Sequence, residues 1–125
     1  MESPPYRQLD SWREQEARNE AGARDRNEWI RGENQRFAGG GKLHTFVCEC
    51  GDGSCEAPIE LTFDEYEAVR LYATRFAIAP NHENPEAEYI VREGAAFAVV
   101  EKIDEPYRRI VRETDPRRQT RRQPR

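Results

Sequence analysis

Polar residues dominate the first third of the chain, and apolar positions gather in short clusters after it. From Gln8 to Phe37 the composition is rich in Glu, Arg, Gln and Ala, which predicts a long polar helix over residues 8–38. Ser11 and Glu14 stand at capping-box spacing. Glu14 with Arg18, and Glu20 with Arg24, stand at the favourable i,i+4 spacing. The apolar face is thin before Trp29, and Gly22 and Gly32 each cost about 1 kcal/mol against Ala. The helix is therefore expected to be firmer over residues 26–37 than over 8–25. In that second half Asn27, Ile30, Asn34 and Phe37 fall on one stripe beside Trp29. Such a mixed stripe suits docking on a domain or on a second copy of the chain, which would make a homo-oligomer through this helix. Residues 1–7, with Pro4 and Pro5, are expected to be disordered, and the glycines of residues 39–42 to form a hinge.

After the hinge the period shortens. Leu43 to Cys48 alternates and contains Thr, Phe and Val, which predicts a strand, and Pro58 to Leu61 its return. Thr62 and Glu65 form a capping box for a helix of about ten residues, with Phe63, Tyr66, Val69 and Ala73 along its buried side. Arg75 to Ala79 reads as a short strand ended by Pro80. PNHENPE is a loop. Tyr89 to Arg92 reads as a strand or the end of a short helix, and Ala96 to Ile103 as the best strand of the chain. Ile110 and Val111 add a last short element. The expected core is Phe46, Val47, Ile59, Leu61, Tyr66, Val69, Phe76, Ile78, Phe97, Val99 and Ile103. The expected fold is α+β: a small antiparallel sheet with a zinc knuckle and one short helix over residues 43–114, behind the longer polar helix.

The chain has 125 residues, of which 35% are charged, enough for one small domain. No apolar run approaches the eighteen residues of a membrane span, and the first residues lack a basic start and an apolar stretch. A cytoplasmic, reducing setting is expected. Charge is uneven. Residues 1–47 are neutral, residues 48–106 carry net −10 and residues 107–125 carry net +6. Residues 115–125 read as a disordered basic tail. Its Arg117, Arg118, Arg121, Arg122 and Arg125 either stay solvated, fold back on the acidic body, or contact a nucleic acid.

All three cysteines lie within eight residues, as Cys48-x-Cys50-x4-Cys55. An odd count excludes a complete disulfide framework within one chain. Clustered thiolates suit zinc, whose tetrahedral ligands must converge. A C-x-C pair on a straight strand points to opposite faces, so the chain must turn near Glu49–Asp52, where Gly51 and Gly53 permit it. A fourth ligand is needed. His44 lies about 13 Å from Cys48 along a regular strand, whereas His82 sits in a proline-bounded loop that is free to reach the cysteines. The expected site is Cys48, Cys50, Cys55 and His82.

The runs FVCECGDGSCEAPIELTFDEYEAVR, TRFAIAPNHENPEAE, AAFAVVEK and RETDPR together resemble a family of small, uncharacterised bacterial proteins typical of actinobacteria. Its pattern is a C-E-C-x4-C knuckle, an L-T/S-x-x-E-Y-E-x-V-R helix and an A-P-x-H-E loop, with an N-x-x-I helix in front that Asn27 and Ile30 match. The resemblance spans roughly residues 26–116. It implies Cys48, Cys50, Cys55 and His82 as metal ligands and does not include His44. It implies no activity, and the long polar N-terminal stretch and the basic tail depart from it.

The expected function is a non-enzymatic zinc-binding regulatory or interaction module with an unidentified protein partner. One alternative is a nucleic-acid-associated factor working through the arginine tail. Another is a zinc thiol switch, since His44-x3-Cys48 partly matches the H-x3-C-x2-C of zinc anti-sigma factors, with the second cysteine one residue early. An enzyme is not expected, because no nucleophile–base–orienter set is visible. Glu49 beside the metal is the one candidate base, against its reading as a solvated turn residue.

Overall fold

The computed structural model of the chain describes residues 5–37, 39 and 41–118, with side chains described from Trp12 onward. It is an α+β structure. Helix α1 (Pro5–Glu33) leads through a 3-10 turn (Gln35–Phe37) to strands β1 (Leu43–Val47) and β2 (Pro58–Thr62). Helix α2 (Phe63–Arg70) follows, then β3 (Arg75–Ile78), β4 (Glu88–Glu93), β5 (Ala98–Lys102) and helix α3 (Glu105–Glu113). Two antiparallel sheets form in place of the single expected one: β1 with β2, and a three-stranded sheet ordered β3-β5-β4. Ile110 and Val111 lie on α3, a second short helix the periodicity did not separate from a strand.

Thr62 caps α2 as expected, with its hydroxyl accepting from the Glu65 amide and the Glu65 carboxylate accepting from the Thr62 amide. This fixes α2 against β1 and β2, where Phe46 stacks on Tyr66 at 4.5 Å between centroids and packs beside Phe63. Ile59, Leu61, Val69, Phe76, Ile78, Phe97 and Val99 join that core, with Tyr107 and Val111 from α3. Two expected core members do not. Val47 is only half-buried, because alternation along β1 puts it on the face opposite buried His44 and Phe46, and Ile103 is exposed just past the end of β5.

Helix α1 differs most from expectation. It starts at Pro5 and ends at Glu33, so Ser11 falls inside it. Of the residues expected to be disordered, 5–7 are helical and 1–4 lie outside the described residues. The first half, expected to be the weaker, docks on the domain, with Ala17, Glu20, Ala21, Ala23 and Arg24 buried; on the expected stripe of the second half Asn27 is buried and Ile30 packs against the core, while Phe37 is exposed. The folded unit is therefore wider than residues 43–114. The helix is held chiefly by polar contacts. Arg24 donates to the carbonyls of Ala73 and Val111, both at 2.7 Å, tying the turn after α2 to α3. The Lys102 ammonium meets the carboxylates of Glu20 and Glu88, with Glu16 at 3.8 Å. Arg31 pairs with Glu67 at 2.8 Å.

The chain's end is also part of the fold. Asp115 is buried against Arg70. Arg117 forks between Glu28 and Glu67, at 2.7 Å to each. Arg118 donates to the Glu113 carbonyl. The root of the expected basic tail thus folds back on acidic residues of α1 and α2. Arg121, Arg122 and Arg125 lie outside the described residues.

Candidate metal centre

The cysteine turn sits where the chain passes from one sheet to the other. Cys48 still pairs with β2, its amide donating to the Ala57 carbonyl at 2.9 Å. One residue later the Glu49 amide donates to the Ala77 carbonyl on β3 at 2.8 Å. The Glu49 side chain turns inward, where it accepts from the Ala77 amide at 2.9 Å and from the Asn27 amide group at 2.8 Å. That inward turn frees the flanking Cys48 and Cys50 to converge on the other side. It also corrects the reading of Glu49 as a solvated turn residue. Glu49 is fully buried, and burial pushes its carboxyl pKa up.

Beyond Cys50 the turn closes on itself. Asp52 accepts from the Ser54 amide at 2.9 Å and the Ser54 hydroxyl at 2.8 Å, which holds its carboxyl below the usual range. The Cys55 amide donates to the Asp52 carbonyl at 3.0 Å. This is an Asx-type turn, in which a short side chain replaces a backbone acceptor. It swings Cys55 back toward Cys48 and Cys50.

The histidine arrives from the loop after β3. Asn81 has φ 70°, a left-handed conformation that Asn tolerates better than most side chains. The His82 amide closes the turn onto the Ala79 carbonyl at 3.1 Å. The imidazole then presents Nδ1 at 3.6 Å from the Cys48 sulfur and 3.5 Å from the Cys55 sulfur. The four ligand atoms of Cys48, Cys50, Cys55 and His82 all lie within 4.8 Å of one another, an arrangement compatible with a metal ion. His44 takes no part. It is buried in β1 against the Phe63 ring, 4.3 Å between centroids. The regular strand keeps it away from the cysteines, as its distance along the chain requires.

Burial dominates the chemistry of the thiols. It pushes the Cys48 pKa up, offset in part by the Ala79 amide, which donates to its sulfur at 3.1 Å. Burial raises Cys50 further. Neutral thiols are therefore favoured until a cation enters, and a metal that binds here must displace protons.

Four residues that sequence reasoning did not assign to the site hold it from behind. The Asn27 side chain donates to the Val47 carbonyl at 2.9 Å and accepts from the Val47 amide at 2.8 Å, so it pairs with the end of β1 as a neighbouring strand would. Asn19 donates to the Gly51 carbonyl at 2.9 Å. The Glu16 side chain lies over Gly51, where an added Cβ would stand 1.9 Å from its Cγ. Asn84, two residues after His82, donates to Glu16 at 3.0 Å. A buried-side Asn on the helix stripe was the only available signal, and it gave no partner.

A second convergence, of Glu16, Glu20 and Glu88, surrounds the Lys102 ammonium, which already supplies its cation. Among the described residues no helix is long and apolar enough to cross a membrane. No protein-family model, curated protein or solved structure matches this chain.

Proposed function

We propose that this chain is a non-enzymatic zinc-binding regulatory or interaction module whose Cys3His site, Cys48, Cys50, Cys55 and His82, is structural. The observation that carries the reading is the spacing of the ligand atoms. Zinc–sulfur bonds of about 2.3 Å and zinc–nitrogen bonds of about 2.0–2.1 Å at a tetrahedral angle put S and N about 3.6 Å apart. The His82 nitrogen stands 3.6 and 3.5 Å from two of the sulfurs. Four protein ligands close the coordination shell, which leaves no open position for a reacting water. Three thiolates and an imidazole favour zinc over the hard, oxygen-seeking cations. The metal joins the β1–β2 turn to the loop after β3, a cross-link that a domain of this size gains from.

The nucleic-acid alternative is weakened by Arg117, whose guanidinium is already engaged by Glu28 and Glu67. The test of the zinc reading is elemental analysis of full-length protein purified without an affinity tag. About one zinc per chain is expected. Uptake by the metal-free protein at neutral pH should release protons, because the buried Cys48 and Cys50 thiols must ionise to bind. His82→Ala should lower zinc affinity and melting temperature together, while His44→Ala and Ser54→Ala keep the metal. A folded protein without metal, or a His44 variant that loses it beside an unaffected His82 variant, overturns the assignment.

A further inference from the structure

Helix α1 is seated on the cysteine turn by hydrogen bonds rather than by an apolar stripe. Among its described side chains the buried apolar ones are Ala17, Ala21 and Ala23, with Trp12 and Ile30 partly buried against the core. On the knuckle side its contacts are Asn27 to both backbone groups of Val47 and to the Glu49 carboxylate, Asn19 to the Gly51 carbonyl, and Glu16 to Gly51 and Asn84. These partners flank the ligands directly: Val47 and Glu49 enclose Cys48, Gly51 follows Cys50, and Asn84 follows His82 by two residues. Hydrogen bonds weaken steeply with distance and angle, and a buried polar group left unpaired is costly. The seat therefore fits only one arrangement of the turn. The turn itself has Gly51 and Gly53 and no large apolar side chain from Cys48 to Cys55, so apart from the ligands it is held only by hydrogen bonds, at Ala57, Ala77 and Ala79 and within Asp52–Cys55.

We propose that α1 docking and metal binding are one linked equilibrium, in which Asn27, Asn19 and Glu16 are positioning residues of the metal centre and α1 is the element that responds to metal loss. The proposal rests on the zinc reading above. By linkage, the factor by which metal strengthens docking is the factor by which docking strengthens metal binding. The effect is a bias and not a detachment, because Arg24 on Ala73 and Val111, and Lys102 on Glu20, anchor α1 independently of the turn. The three-stranded sheet has its own apolar packing, through Phe76, Ile78, Val99 and Val100, and does not share the response.

The experiment is hydrogen exchange on the full chain, zinc-loaded and chelated under reducing conditions, alongside competition titration with zinc and the visible spectrum of the cobalt-substituted protein. Metal removal should speed exchange across residues 16–27 by about 5–150-fold, the usual range of a coupling, while β3 and β5 stay protected. Asn27→Ala should weaken metal binding by about 10–100-fold, shift the cobalt spectrum, and loosen α1 even when metal is bound. Gly51→Ala, which displaces the Glu16 side chain from the opposite partner, should reproduce the α1 loosening. An exposed change elsewhere on α1, Glu33→Ala, should do none of this. If the wild type binds metal but α1 exchange ignores it, the linkage is wrong and the zinc reading stands. If α1 and the sheet lose protection together, the metal supports the whole fold and the selective linkage is overturned. If no metal binds, the zinc reading fails, and the linkage falls with it.

Discussion

The two sides of this small protein are built on different physics. Around α2, β1 and β2 the interior is apolar and aromatic, with Phe46 stacked on Tyr66 and Ile59, Leu61 and Val69 filling the space between. Beneath α1 it is ionic, with Glu20, Arg24, Asn27, Glu49, Arg70, Lys102 and Asp115 buried together. An apolar interior tolerates exchange of shape at nearly constant volume. An ionic one depends on every partner being present, because removing one leaves a charge or a polar group stranded. The Cys3His cluster lies on the seam, with its sulfurs on the sheet side and its supporting hydrogen bonds on the α1 side. This is why the cluster is assembled by groups so distant in sequence as Asn27 and His82.

The contrast is broken most forcefully at Lys102. Lys102→Met keeps the side-chain length but strands Glu20 and Glu88, and should cost about 3–5 kcal/mol. Leu61→Met, an equally modest change in the apolar half, should cost less than about 1.5 kcal/mol. Denaturant midpoints of the two variants against wild type measure the difference. Equal losses would show that the ionic side is no more demanding than the apolar one.

Acidity sharpens the same contrast. One ammonium faces three carboxylates at Lys102, and burial pushes Glu20 up to about 8 from its ordinary 4.5. Between those two values the folded protein keeps a proton that the unfolded chain has released, so this group's contribution to stability falls as pH rises toward 8. Glu67 acts in the opposite sense. The Arg117 and Arg31 contacts hold its carboxyl down against burial, so its stabilisation is present at neutral pH and is lost as acid titrates it. Glu20→Gln should flatten the decline in melting temperature between about pH 5 and 8 and leave the acid limb unchanged, measured with metal saturating. An unchanged alkaline slope would place the pH dependence elsewhere.

The smallest expected effect belongs to the apolar half. Thr62→Ala removes the capping hydroxyl of α2 and should cost about 1 kcal/mol, with metal content unaffected. A loss of metal from that change would mean that α2 and the metal centre are coupled more tightly than their separation across β2 implies.

Local signals were legible wherever the chain decides its own structure. Thr62 and Glu65 announced α2 through a capping box that needs only four consecutive residues. The alternation at Leu43–Val47 announced β1, and the Ala96–Ile103 run announced β5. The C-x-C-x4-C spacing announced a turn with converging sulfurs, and strand geometry separated His44 from His82. Ile110 and Val111 were ambiguous because two apolar residues fit either period. The inward turn of Glu49 was hidden because it depends on Asn27 and on the edge of β3.

The sequence by itself determined the α+β class, the helix cap, the strand runs and the clustering of the three cysteines, because these follow from spacings of a few residues. Only the tertiary structure decided that α1 is part of the domain, that Asp115 and Arg117 belong to its interior and rim, and that Glu49 faces away from the sulfurs. Each of those outcomes rests on a charged or polar side chain finding a partner distant in the chain, such as Arg24 with Val111, Arg117 with Glu28, or Lys102 with Glu20. Hydrophobic periodicity records which residues leave water, but a charged residue carries no sign of whether it will meet solvent or a buried counter-charge.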